Sequence, residues 1–105
     1  MVSENTIQEA TRRLVKGFKP KQILLFGSQA RGTADKHSDL DLLVVCTLDR
    51  KRRDLMVAMD RSLNGLDVAR DIIVLTPEEF ERDRNIPGTV ARPAWREGRV
   101  LYEQL

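Results

Sequence analysis

The chain has 105 residues, with 18 lysines and arginines against 16 aspartates and glutamates, for a formal net charge of +2. That length fits one domain, residues 1–105, built on one core that buries roughly 60–70% of the extended surface. No apolar run approaches the roughly 20 residues of a membrane span, and the N-terminus lacks a basic-then-apolar export signal, so a cytoplasmic protein with no membrane contact is expected. The lone Cys46 lies in an apolar run, cannot form an internal disulfide, and reads as a small core residue.

Ile7, Ala10, Leu14 and Phe18 recur at helical spacing and predict a first helix. Asn5 or Thr6 is placed to cap it, Gln8 or Glu9 to complete a capping box, and Gly17 and Pro20 to end it. Residues 22–26 read as a strand that Gly27 breaks; 28–31 read as a turn or short helix closed by Gly32; 33–38 read as a polar loop that holds His37. Residues 40–46 form a second strand, apolar on both faces after Asp41 and therefore central. A helix from 50 to about 63 follows, with Asp49 as cap and Leu55, Met56, Met59 and Leu63 as its buried stripe. Arg50, Lys51, Arg52 and Arg53 crowd its start, where positive charge opposes the helix dipole. That cluster therefore serves a solvated end or a partner surface rather than the helix itself.

Asn64-Gly65 turns the chain, Leu66 to Val68 can open a strand, and 71–75 is one. Thr76-Pro77-Glu78-Glu79 carries Thr at the N-cap, Pro at the first helical position and Glu at the third, and starts a helix that runs to about Arg84. Ile86-Pro87-Gly88 interrupts it. A helical turn near 90–96 contains Pro93, Gly98 stops it, and Val100-Leu101-Tyr102 is a final strand. Trp95 and Tyr102 read as packing or interface residues rather than base-stacking ones. The fold class is α/β (α+β): a small mixed sheet with helices packed on it.

The chemistry concentrates at two neighbouring stretches, Gly27-Ser28 and Asp39-Leu40-Asp41. Aspartates two apart in a strand share a face, roughly 6.6 Å apart along the chain. Paired carboxylates repel unless cations lie between them. Mg²⁺ takes oxygen ligands, commonly one or two carboxylates together with substrate phosphates. Gly27-Ser28 supplies a backbone that can approach phosphate closely, and a hydroxyl. Strand one ends at the motif and strand two begins there, so the two run antiparallel. A helical crossover then makes strand three parallel to strand two. Its first residue, Asp71, falls beside Asp39 and Asp41; Asp67 is the reserve candidate on a longer strand. There is no P-loop pattern and no zinc-ligand cluster.

Gly-Ser, a ten-residue spacer holding Ala30-Arg31-Gly32, and Asp-x-Asp together resemble the nucleotidyltransferase superfamily with the DNA polymerase β-like core. The short chain resembles its minimal branch, the MNT-domain antitoxins encoded beside HEPN-domain toxins. The likeness runs from about Lys21 to Glu79, with a weaker match over 98–103. It implies a nucleotidyltransferase fold and a two-metal reaction with Mg²⁺ and ATP. Asp39, Asp41 and Asp71 would be catalytic and metal-binding. Gly27, Ser28 and Arg31 would bind nucleotide, with Arg31 equally able to brace the loop by pairing with an aspartate. The reaction implied is transfer of AMP from ATP to a tyrosine of a cognate HEPN toxin, in a hetero-oligomer with no role for nucleic acid. Two alternatives stay open: a non-catalytic module that neutralises its partner by complex formation, and transfer to a small molecule or an RNA end.

Overall fold

The computed structural model describes residues 2–32 and 39–105, with the backbone alone at 28 and 31. The predicted loop over 33–38, His37 included, lies outside the described residues. The elements run α1 (Glu4–Phe18), β1 (Gln22–Phe26), α2 (Ser28–Arg31), β2 (Leu40–Val45), α3 (Arg52–Ser62), β3 (Arg70–Leu75), α4 (Pro77–Asp83), α5 (Ala91–Glu97) and β4 (Arg99–Glu103). The four strands make one mixed sheet in the order β3-β2-β1-β4. β1 is antiparallel to β2 and to β4, and β2 is parallel to β3 across the α3 crossover. No helix among the described residues is long and apolar enough to cross a membrane.

Alternation along the central strands divides the core in two. Ile23, Leu25, Leu42 and Val44 face α1 and α3, where Leu14, Leu55, Met59 and Leu63 complete the larger cluster. Leu24, Leu43 and Val45 face the other way, under Phe80, Ala91 and Ala94 of α4 and α5. β2 is covered on both faces, as its unbroken apolar run requires.

The ends of the helices depart from the sequence expectation in instructive ways. Ser3, not Asn5 or Thr6, caps α1: its hydroxyl accepts from the Thr6 N–H at 3.2 Å. Starting one turn earlier lets Val2 pack against the core. Gly17 stays inside the helix, and Lys19 ends it in the left-handed conformation (φ 48°), its N–H donating to the Val15 carbonyl. Asp49 does not cap α3. It pairs with Arg50 at 3.0 Å, and α3 begins at Arg52 with no side-chain cap. Leu66 to Val68 is not strand. Arg70 holds that segment as a turn by donating to the Leu66 carbonyl (3.3 Å) and to the Asp60 carbonyl (2.9 Å). From the other side Arg13 donates to the Asn64 carbonyl at 2.9 Å.

The capping box at Thr76 forms as read: Glu79 N–H donates to the Thr76 hydroxyl (3.1 Å), and Thr76 N–H to the Glu79 carboxylate (2.8 Å). Pro93 does not break α5, because it sits in the first turn, where the backbone N–H has no partner within the helix in any case. Gly98 then brings the chain so close to β1 that a β-carbon there would lie 2.8 Å from the Leu25 carbonyl oxygen.

Candidate active site

β1 delivers its last residue, Phe26, opposite Asp41 of β2. The chain must leave the strand there without crossing the acid. Gly27 does this at φ +72°, and a β-carbon on it would collide with the Asp41 carboxylate, whose Cγ would lie 3.3 Å away. The glycine therefore serves twice, adopting a left-handed turn and leaving room for a carboxylate against the backbone. α2 follows at once and carries Ser28 and Arg31; their side chains lie outside what the structure describes. Gln29 of α2 is buried, and its amide oxygen accepts from the Val2 N–H at 3.3 Å, tying α2 to the start of the chain.

The parallel pairing of β2 with β3 sets Asp41 directly opposite Asp71. Opposed residues share a sheet face, so both acids lie on the α4–α5 side of the sheet, at the end those helices leave uncovered. Asp41 is half-buried, and Asp71 and Asp39 are exposed. Asp39 stands one residue before β2. The reserve candidate Asp67 is excluded from this row, because it lies outside β3. Among the described residues no three carboxylate, thiol or imidazole side chains converge on a point that would hold a metal ion. The donor set is nevertheless all oxygen and suits hard divalent cations, which complete their shells with phosphates and water.

One brace behind the site was invisible as a unit in the sequence. Arg52, first residue of α3, grips the Glu79 carboxylate with both terminal nitrogens (2.8 and 2.7 Å) and donates to the Val74 carbonyl at 2.6 Å. The Arg52 guanidinium, helped by the Thr76 N–H, holds the Glu79 carboxyl at about 2, below its ordinary 4.5. So β3, which carries Asp71, is locked at its far end to both α3 and α4. The signal was present as an anomaly: a cation in the first turn of a helix needs a partner elsewhere.

A family model for the nucleotidyltransferase domain matches residues 5–102. A Methanocaldococcus jannaschii protein provisionally named a protein adenylyltransferase is 33% identical, covering 97% of this chain and all of the relative. A crystal structure of a toxin–antitoxin complex with AMP-PNP superposes with a TM-score of 0.64 at 26% identity, over 98% of this chain and 75% of that one. A mutant of the MntA–HpeT toxin–antitoxin complex superposes at 0.61 with 27% identity, over 99% and 75%. A nucleotidyltransferase structure from Sulfolobus solfataricus, so named provisionally, shares the fold at a TM-score of 0.66 and 22% identity, over 95% and 79%. A turn glycine packed on one strand acid, a second acid in register beside it, and a matching family model over nearly the whole chain lead to one conclusion: this protein belongs to the nucleotidyltransferase domain family.

Proposed function

We propose that the chain is a protein adenylyltransferase of the antitoxin type, moving AMP from ATP to a tyrosine of a HEPN-domain toxin partner and so silencing it. The observation that carries the reading is the register of Asp41 against Asp71 with Gly27 packed on Asp41. The M. jannaschii relative and the toxin–antitoxin neighbours support the choice of a protein acceptor.

In this reading Asp39 and Asp41 hold two Mg²⁺ ions, with Asp71 completing the set. When bound, such ions neutralise charge on the triphosphate and on the oxygens that enter and leave. The Gly27 turn, Ser28 and Arg31 hold the phosphates. The acceptor oxygen attacks the α-phosphorus, the bond between the α-phosphorus and its bridging oxygen breaks, and pyrophosphate leaves. A carboxylate oxygen of Asp71 takes the proton released by the acceptor hydroxyl.

The test is incubation with α-labelled ATP, Mg²⁺ and a HEPN-domain protein encoded beside this chain. Label is expected on the partner and lost with Asp39→Ala or Asp41→Ala. Neutralisation of the partner that persists in both variants, without label, establishes the binding-module alternative instead. Label on RNA or on a small molecule alone replaces the protein acceptor.

A further inference from the structure

β3 is an outer strand of the sheet. Its ladder to β2 uses the carbonyls of Ala69 and Leu75, which accept from Leu40 and Cys46. In a parallel ladder the alternate residues then turn their N–H and C=O outward. These are Arg70, Ile72 and Val74. The outward carbonyl of Val74 is occupied by Arg52. Around Arg70 and Ile72 no strand pairs with this edge among the described residues. The edge is therefore closed at one end and open at the other, and the open end is the one that holds Asp71.

A groove of about 590 Å³ runs beside this open edge, with α3 as its other wall. Arg53, Val57 and Arg61, spaced four apart, form one stripe of α3 along it, and Met56 and Ile72 also line it. Val57 is 44% exposed. The other two arginines of the groove are committed, Arg52 to Glu79 and Arg70 to Asp60. The side chains of Arg53 and Arg61 make no ion pair or hydrogen bond among the described residues, and both residues are exposed.

We infer that this edge and groove dock an extended, acidic segment of the protein acceptor, which adds to β3 as a fifth strand. The inference rests on the protein-adenylyltransferase reading above. An open strand edge recognises a peptide backbone through main-chain hydrogen bonds, and side-chain pockets select the sequence. The residue opposite Asp71 puts its side chain on the face that Asp71 and Asp41 share. That residue carries the acceptor hydroxyl. Its two neighbours alternate to the α3 face, where Arg53 and Arg61 meet carboxylates and Val57 meets apolar surface. The specificity is thus for a hydroxyl residue flanked by acids. The phosphate cradle at Gly27 lies on the opposite side of Asp41 from β3, so the segment reaches Asp71 without crossing the nucleotide.

The test reads binding alone, by fluorescence anisotropy with Mg²⁺ and the α,β-methylene analogue of ATP, which cannot donate AMP; transfer is scored separately with ATP. The probe is a labelled, end-blocked peptide, Thr-Glu-Tyr-Glu-Thr. It is compared with the version that has lysine for glutamate, with a backbone N-methylated version, and with a single-stranded oligoribonucleotide. The glutamate peptide is expected to bind, the lysine peptide to bind roughly tenfold more weakly, and the N-methylated peptide to lose binding. The Arg53→Glu, Arg61→Glu double variant, checked for folding by circular dichroism, should reverse the preference between the two peptides. Equal binding of the glutamate and lysine peptides, undiminished binding of the N-methylated one, tighter binding of the RNA, or no binding up to millimolar peptide overturns the proposal. A peptide that binds as expected but never receives AMP upholds the docking edge and counts against the transferase reading.

Discussion

Asp41 and Asp71 face one another across the parallel β2–β3 ladder, although they stand thirty positions apart in the chain with a helix between them. Neither position is set by local preference. Gly27 closes the other side of Asp41, so the half-buried acid lies between a backbone turn and a second carboxylate.

Replacing Asp71 with asparagine tests its assigned part with almost no change of shape. The side chain is exposed, so unfolding free energy should move by no more than about 0.5 kcal/mol. Transfer should fall by roughly 10²–10⁴, as for the loss of a general base, while ATP binding persists. Parallel urea melts, nucleotide titrations and transfer rates check this; full activity in the variant would remove Asp71 from the mechanism.

Gly27→Ala and Gly65→Ala separate backbone strain from crowding. Both glycines have positive φ, 72° and 93°, but only a β-carbon at 27 meets anything, the Asp41 carboxylate; position 65 is open. The Gly65 variant should lose about 1–2 kcal/mol from the left-handed conformation alone. The Gly27 variant should lose more and should also lose ATP binding, because Asp41 has to move. Equal melts with intact nucleotide binding would show that Asp41 yields freely.

Glu79 makes acid stability depend on Arg52. Its carboxyl is held at about 2 against an ordinary 4.5, so the folded form binds that proton less readily than the unfolded chain does. The contribution is complete above pH about 4.5 and disappears as pH falls toward about 2. Arg52→Ala should therefore lower stability at neutral pH by about 1 kcal/mol, the upper range for a partly exposed pair. It should also flatten the acid limb of the stability curve. Some acid sensitivity will remain, since Arg12 and Arg13 hold Glu9 at about 2 as well. Urea midpoints from pH 2 to 7 for both proteins give the answer.

Cys46 is 4% exposed, and burial pushes its thiol up from the ordinary value. Iodoacetamide should label it in urea but leave the native protein almost untouched over the same period, as expected for an inert buried thiol. Rapid native labelling would mean that β2 opens locally.

Much of this was legible in the chain because it is governed by contacts a few residues apart. The Thr76 box, the break at Gly27, the unbroken apolar run of β2 and the split between period-two and period-3.6 segments each follow from short-range stereochemistry. Antiparallel and parallel pairings could then be argued from where each connection must end, and Asp71 rather than Asp67 stands in the row because β3 begins at Arg70. What the chain could not disclose depends on partners that only tertiary packing brings together. The free-standing arginine at the start of α3 acquires Glu79 and the Val74 carbonyl. Arg70 turns an expected strand into a loop by gathering carbonyls from 60 and 66, and the open edge beside Asp71 exists because of where β3 falls in the sheet order. A residue's neighbours along the chain are given by covalent bonding, whereas its neighbours across the sheet are chosen by which apolar faces can be buried together, and the acids, the brace and the edge are all of the second kind.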